Sequence, residues 1–181
     1  MKVEYLFKTI SVGSGSVGKT SLIKRFAEGT FRETYIPTLG VDFATKVIKI
    51  QDQTIKLVLF DTGGQELLGR LRPYYYRGAN GAIVCYDITS KASFEALDGW
   101  LNEIYIHIGA IPLILVGNKI DLVDQREVIR EQAEAYAQEK NHQYIETSAK
   151  AGVGVDKMFL ALSNMMLGTS SQLKETSHPT D

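Results

Sequence analysis

Residues 13–20 read Gly13-Ser14-Gly15-Ser16-Val17-Gly18-Lys19-Thr20, which fits the pattern G-x-x-x-x-G-K-[ST]. The apolar run 6–12 before this phosphate loop predicts a strand, and the apolar spacing in 21–28 after it predicts a helix. Glycines let backbone N–H groups approach an anion closely, and a helix N-terminus favours negative charge. We therefore expect a phosphate site, with the Lys19 ammonium at the outer phosphates and the Thr20 hydroxyl on Mg²⁺. The candidate phosphate ligands are Gly13, Ser14, Gly15, Ser16, Val17, Gly18, Lys19, Thr20 and Ser21.

The composition is typical of a folded domain without a strongly charged surface. The chain has 181 residues and a formal net charge of −1. This balance disfavours binding to nucleic acid or to an anionic membrane, because both need a broad positive field. Cys85 is the single cysteine, which excludes an intramolecular disulfide, and its apolar neighbours predict a buried thiol. We recognise no signal peptide or membrane span in the sequence and expect a cytoplasmic protein.

Short apolar runs alternate with helical patterns along the chain. Strands are predicted at 6–12, 46–50, 55–60, 82–86, 113–116 and 144–145, and helices at 21–28, 94–108, 130–140 and 155–166. This alternation predicts an α/β fold over residues 1–167. We expect one domain with a six-stranded, mostly parallel sheet, one antiparallel edge strand and helices on both faces. Residues 168–181 are polar and aperiodic, and we expect them to be disordered.

Two polar segments follow predicted strands and indicate which nucleotide is bound. The first base loop is Asn118-Lys119-Ile120-Asp121, and the second base loop is Thr147-Ser148-Ala149-Lys150. Ligands bind at the carboxyl ends of strands in open α/β sheets, so both loops are placed for binding. The Asp121 carboxylate can accept from N1–H and the N2 amine of guanine, whereas adenine offers neither donor. A buried carboxylate without these donors is unfavourable, so the loops predict guanine.

The other polar groups of the base loops have complementary roles. We expect Asn118 to serve the O6 and N7 side of the base and to tie neighbouring loops together. The aliphatic stems of Lys119 and Lys150 can cover the two faces of the ring. The Ala149 N–H can donate to O6, and Ser148 completes the second base loop.

A third segment, Asp61-Thr62-Gly63-Gly64-Gln65-Glu66, follows the apolar run 57–60. Asp61 can hold a water molecule bound to Mg²⁺. The Gly64 N–H can contact the γ-phosphate, and Gln65 can orient the attacking water, which makes Gln65 the candidate catalytic residue.

Together these segments resemble those of a small GTPase of the Ras superfamily, and most closely those of the Rab branch. The resemblance runs from about Tyr5 to Leu167. The strings that carry the similarity to Rab proteins are Leu39-Gly40-Val41-Asp42-Phe43, Tyr75-Tyr76-Arg77-Gly78-Ala79 and Tyr86-Asp87-Ile88-Thr89. The resemblance implies a P-loop G domain that switches between GTP and GDP and hydrolyses GTP slowly with Mg²⁺, in vesicle trafficking or related signalling.

The resemblance also implies roles for residues between the first helix and the hairpin. Phe31 stacks on the guanine, Tyr35 closes over the phosphates, and Thr38 joins Thr20 on Mg²⁺ in the GTP state. Residues 31–43 and 61–77 are the two switch segments. An exchange factor, a GTPase-activating protein and effectors bind a monomeric chain through them.

The chain departs from the Rab pattern in three places. Rab proteins usually end in prenylated cysteines, which this sequence lacks, so we expect no direct lipid anchor. Membrane association would then depend on partners or on a further C-terminal tail. Phe60 and Gly63 stand where tryptophan and alanine are usual, and Leu67-Leu68-Gly69-Arg70-Leu71-Arg72 differs from the usual string.

Two other functions remain open at the level of sequence. The first is a P-loop ATPase or kinase, against which Asp121 argues. The second is a GTP-binding adaptor with negligible hydrolysis, against which Gln65 and Thr38 argue.

Overall fold

The computed structural model describes residues 3–32, 38, 40–62 and 72–176. The side chains of Arg72 and of residues 172–176 are not described. The expectations for Tyr35, Gly63, Gly64, Gln65 and residues 66–71 lie outside the described residues.

Six strands form one sheet, as the sequence predicted. Their order across the sheet is β2-β3-β1-β4-β5-β6, with β2 antiparallel to β3 and the other pairs parallel. The carboxyl ends of the five parallel strands therefore meet at one edge of the sheet, which is where open α/β folds bind ligands. The strands are β1 Tyr5–Val12, β2 Val41–Ile50, β3 Gln53–Thr62, β4 Gly81–Asp87, β5 Leu113–Asn118 and β6 Gln143–Thr147.

The helices agree with the sequence prediction in place but not in every boundary. The predicted helix over 94–108 is two helices, because α3 ends at Glu95 and α4 begins at Leu97. The Ser90 side chain accepts from the Ser93 N–H and so begins α3 upstream of the apolar pattern. The helices are α1 Lys19–Glu28, α2 Arg72–Tyr76, α3 Lys91–Glu95, α4 Leu97–His107, α5 Arg130–Glu139 and α6 Val155–Thr176, with a short 3₁₀ turn at Val123–Gln125.

The closing helix is longer than predicted. Residues 168–176 belong to α6, so the expectation of disorder from 168 onward is wrong for this part. The apolar stripe that reveals the helix stops at Leu167, while the backbone hydrogen bonds continue. No proline interrupts the helix, and the one glycine, Gly168, costs only about 1 kcal/mol relative to alanine.

The hairpin is also longer than its apolar pattern. β2 and β3 pair from Val41↔Thr62 to Ile50↔Gln53, so two residues connect them rather than four. β2 is an edge strand whose residues are mostly exposed or half-buried, and such a strand has a weak hydrophobic signal. The pairing places the start of β2 beside the end of β3, at the ligand edge of the sheet.

A hydrophobic core fills each face of the sheet. One core packs α1 and α6 against it, and the other packs α3, α4 and α5. Every residue of β4 is buried, which matches a strand covered on both faces. Cys85 lies there as predicted, and burial raises the pKa of its thiol to about 12. None of the described helices has the length and apolarity needed to cross a membrane.

Candidate functional site

The phosphate loop turns sharply between β1 and α1. Gly13 and Gly18 have φ values of 140° and 99°, which residues other than glycine rarely adopt. A Cβ on Gly13 would lie 2.1 Å from the Cys85 carbonyl oxygen, and one on Gly18 would lie 2.2 Å from Asn118 Nδ2. Both positions therefore require glycine, because the loop backbone lies in direct contact with β4 at Cys85 and with the Asn118 side chain at the end of β5.

Lys19 is folded back over this loop. Its Nζ donates to the carbonyl oxygens of Gly13 and Ser14, both at 2.8 Å, and the residue is only 6% exposed. Carbonyl groups carry no net charge, so these two bonds position the ammonium without neutralising it. The loop thus combines a positive charge with the N-terminus of α1, an arrangement that suits a phosphate.

Thr20, Thr38 and Asp61 meet beside the phosphate loop. The two threonine Oγ1 atoms are 2.8 Å apart, and they donate to Asp61 Oδ2 at 2.5 Å from Thr20 and 3.3 Å from Thr38. Burial raises the pKa of Asp61, against the opposing effects of the two hydroxyls and of Lys19. Its Oδ1 is buried and makes no hydrogen bond within the described part of the chain. This oxygen-only set is suited to a hard cation such as Mg²⁺.

Asn118 connects the base loops with the phosphate loop. It is 1% exposed, and its Nδ2 donates to the Val17 carbonyl oxygen at 2.9 Å. Its Oδ1 accepts from Thr147 Oγ1 at 3.0 Å and from the Ala149 N–H at 3.2 Å. The expected tie between loops is therefore present. The Ala149 N–H, expected to donate to guanine O6, is already shared with Asn118.

Ser148 orients the carboxylate of Asp121. Ser148 Oγ donates to Asp121 Oδ1 at 2.5 Å and accepts from the Ala151 N–H at 2.9 Å. The Ile120 N–H also donates to the Thr147 carbonyl oxygen at 3.1 Å. The two base loops, which are separated by about 25 residues in sequence, thus form one unit with Asp121 at its exposed side.

Asp87 pairs with Lys119, a role at the site that the sequence motifs did not indicate. Lys119 has a φ of 71°, and its Nζ lies 2.6 Å from Asp87 Oδ2. Asp87 Oδ1 accepts from the Thr89 N–H at 2.9 Å and from its hydroxyl at 2.7 Å. The sequence did offer one signal for Asp87. It directly follows the predicted apolar strand 82–86, and ligands bind at the carboxyl ends of such strands.

A network of side-chain hydrogen bonds lies in and beside the strands that lead to the base loops. Tyr86 Oη and Tyr144 Oη are 2.7 Å apart, and Tyr144 Oη donates to Glu146 at 3.1 Å. Glu146 forms a bidentate ion pair with Arg126, whose Nη1 and Nη2 lie 2.7 and 3.2 Å from the two carboxylate oxygens. A Cβ on Gly117 would lie 2.5 Å from Tyr144 Oη. The absence of a side chain at 117 lets β5 and β6 reach the site at their observed spacing.

The remaining candidate residues lie around this framework. Phe31 packs against the core on the α1 and α6 face, with its ring centre 5.9 Å from Arg25 Cζ. Ser21 is half-buried in the first turn of α1, and Lys150 is exposed in the second base loop. Tyr35, Gly64 and Gln65 lie outside the described residues, so their roles stay predictions.

Comparison with known proteins agrees with this geometry. A sequence model of the Ras family matches residues 8–168. The chain is 44% identical over 165 residues to the Ras-related protein Rab-1 of Theileria annulata, covering 90% of this chain and 75% of that protein. It is 44% identical to Rab-13 of Rattus norvegicus, covering 91% and 81% of the two chains, and 41% identical to Rab-30 of Homo sapiens, covering 93% and 84%.

The matched region includes the phosphate loop and both base loops, and it covers the sheet except for the first three residues of β1. The expectation of a Rab-like G domain is therefore confirmed, and neither the ATPase nor the adaptor alternative gains support. The chain belongs to the Ras family and is a Rab-like small GTPase, an enzyme that binds guanine nucleotide and hydrolyses GTP.

Proposed function

We propose that this GTPase holds GTP between the phosphate loop and the two base loops and acts as a switch between GTP-bound and GDP-bound forms. The observation that carries the proposal is the contact of Thr38 with Thr20 and Asp61. Thr38, which follows α1 in the chain, thus lies beside Thr20 at the proposed phosphate end of the site. A segment held there by the γ-phosphate is released when hydrolysis removes it.

At the base end, the proposal assigns guanine recognition to Asp121. Ser148 aims the carboxylate, and Asn118 keeps it in register with the phosphate loop. The stems of Lys119 and Lys150 cover the faces of the ring, and Phe31 adds an aromatic contact.

The residues at the phosphate end fit Mg²⁺, which takes few protein ligands and keeps several waters. We propose that Thr20 and Thr38 bind the ion directly and that Asp61 binds it through water. The buried Asp61 Oδ1 supports this role, because such an oxygen needs a partner. Bound Mg²⁺ supplies positive charge to the phosphate oxygens.

Three further roles rest on the family resemblance and on the position of Asp61 at the end of β3. Gln65 orients the attacking water, and the Gly64 N–H contacts the γ-phosphate. Tyr35 closes over the phosphates. Orientation of water needs no strong base, so we propose slow hydrolysis in the absence of a partner.

We propose that an exchange factor, a GTPase-activating protein and effectors bind at residues 31–43 and 61–77. Phe43 and Tyr74 are 67% and 77% exposed, and the ring centres of Phe43 and Phe60 are 6.4 Å apart. Exposed aromatic side chains are enriched in protein interfaces. The relatives named Rab-1, Rab-13 and Rab-30 support a role in vesicle trafficking, performed by a monomer in the cytoplasm that reaches membranes through partners or a C-terminal tail.

The test is to identify the nucleotide that co-purifies with the protein. Protein isolated gently with Mg²⁺ is denatured, and the released nucleotide is identified by anion-exchange chromatography. We expect a guanine nucleotide, with Lys24→Ala retaining it and Lys19→Ala losing it. Empty protein, or an adenine nucleotide, would contradict the proposal.

Phosphate release distinguishes the switch from a GTP-binding adaptor. With saturating GTP and Mg²⁺, we expect slow release that continues over hours. A loaded protein that releases no phosphate in that time would support the adaptor.

A further inference from the structure

Arg25, in the last turn of α1, donates hydrogen bonds to three backbone carbonyl groups. Its Nε donates to Ala149 O at 2.8 Å, its Nη2 to Lys150 O at 2.7 Å, and its Nη1 to Gly29 O at 2.9 Å. The first two bonds span more than 120 residues of sequence and reach the second base loop. The third is to Gly29, the C-cap residue that follows α1.

The same guanidinium also touches the aromatic residue expected at the base. Its Cζ lies 5.9 Å from the ring centre of Phe31, within the range of a cation–π contact. Arg25 therefore touches two elements proposed to surround the guanine, the second base loop and Phe31. Within the described part of the chain, its side-chain hydrogen bonds all go to backbone carbonyl oxygens and none to a carboxylate.

We infer that Arg25 is a positioning residue for guanine binding, which sets the second base loop and Phe31 against the base without itself touching nucleotide. This inference rests on the proposed function and adds a residue to it. Ala149 and Lys150 accept from Arg25 through their carbonyl oxygens, which leaves the Ala149 N–H and the Lys150 stem to face the base. The planar guanidinium donates in several fixed directions at once, which a lysine ammonium cannot reproduce.

The inference predicts an effect confined to one end of the nucleotide. The Ala149 N–H, now donating to Asn118 Oδ1 at 3.2 Å, can be shared with guanine O6 as a three-centre bond while the loop keeps its place. Without Arg25 the loop moves and the contact with O6 weakens. Arg25 makes no side-chain hydrogen bond with the phosphate loop, all of whose residues are described, so we expect GTP hydrolysis to be unaffected once GTP is bound.

The experiment measures release of prebound GDP and of 6-thio-GDP, chased with excess unlabelled GDP. In 6-thio-GDP the O6 atom is a sulfur, a weaker acceptor, while both donors to Asp121 remain. We expect Arg25→Ala to speed GDP release by up to about tenfold, the upper end of the effect of one lost hydrogen bond between uncharged groups. Release of 6-thio-GDP should be faster by only about twofold, because its O6 contact is already weak.

Two further variants complete the design. Arg25→Lys keeps the charge and should show the same difference between the two nucleotides; it also replaces Arg25→Ala if that variant does not fold. Lys24→Ala removes a charge from the neighbouring position of α1 and should leave both rates unchanged. Single-turnover GTP hydrolysis should be the same in all variants.

Equal acceleration for both nucleotides, or none, would overturn the inference, since equal acceleration is what general loosening of the fold would produce. The wild-type protein tests the proposed function separately. If it releases GDP as fast as ADP, the proposed function fails whatever Arg25 does. If it retains GDP selectively and the variants keep the wild-type ratio of rates, only the role of Arg25 fails.

Discussion

Asn118 donates a hydrogen bond from Nδ2 to the carbonyl oxygen of Val17 at 2.9 Å. This one bond joins the loop proposed to read the base to the loop proposed to hold the phosphates, 101 residues apart in sequence. Both residues are buried, so this bond holds the two halves of the site in register.

Asn118→Ala therefore weakens binding at both ends of the nucleotide. It leaves the Val17 carbonyl without this donor, at a cost of about 1–3 kcal/mol. We expect GDP release to be faster by about tenfold to a hundredfold, measured by the loss of radiolabelled GDP. Thr147→Val removes only the bond from Thr147 to Asn118 and should have a smaller effect. A release rate in Asn118→Ala equal to that of wild type would contradict the coupling.

Asp121→Asn should change the preferred base. The carboxamide places a donor where guanine also has a donor, whereas xanthine has a carbonyl group at C2 and can accept. We expect weaker GDP binding and a gain in xanthosine diphosphate binding, measured by competition against labelled nucleotide. Asp124→Asn, in the adjacent 3₁₀ turn, serves as the control. Retained guanine preference in Asp121→Asn would refute the role of this carboxylate.

Thr38→Ala should raise the Mg²⁺ concentration needed for tight GTP binding and leave GDP binding unchanged. The Thr38 hydroxyl lies at the oxygen cluster with Thr20 and Asp61, and its loss removes one ligand. We expect the Mg²⁺ concentration that half-maximally slows GTP release to rise about tenfold, the effect of one ligand bond. Thr38→Ser keeps the hydroxyl and should resemble wild type. An unchanged Mg²⁺ requirement in the alanine variant would argue against direct ligation.

Gln65→Leu should slow hydrolysis without affecting binding. Leucine has a similar volume but cannot hydrogen-bond to the attacking water, so the single-turnover rate should fall by at least about tenfold. GDP and GTP release should stay close to the wild-type values. Equal single-turnover rates for the two proteins would remove Gln65 from the mechanism.

His142 should make stability depend on pH on the acidic side of neutrality. Burial lowers the pKa of His142 below its ordinary value, and its Nε2 lies 2.5 Å from Tyr105 Oη. Because the unfolded chain binds a proton at higher pH than the folded chain does, the free energy of unfolding falls as pH drops below about 6.5. Below the pKa of His142 in the folded chain, both states are protonated and the free energy of unfolding falls no further on account of this residue. Urea unfolding between pH 7.5 and 5 should show a steeper decline for wild type than for His142→Gln, and parallel curves would contradict this.

Most of the fold could be predicted because its signals are local. Each buried strand is a short apolar run, and the phosphate loop is a contiguous pattern between a strand and a helix. The missed features lack such a signal. The helix α2 is only five residues long, the break between α3 and α4 occurs at Ala96, and the last turns of α6 carry no apolar stripe.

The site divides in the same way. Its named ligands, such as Lys19 and Asp121, lie in contiguous motifs and were recognised from them. Asp87 and Arg25 were missed because each acts on a residue that is distant in sequence. The bond from Arg25 to Lys150 spans 125 residues, and no periodicity or spacing records such a contact.

The order of residues alone thus determined the α/β class, the phosphate loop and the choice of guanine, because these depend on neighbours along the chain. Packing decided which side chains support that chemistry. Folding brings the ends of β1, β3, β4, β5 and β6 to one edge of the sheet. Only there do hydrogen bonds, which act over about 3 Å, join Asn118 to Val17 and Arg25 to the second base loop.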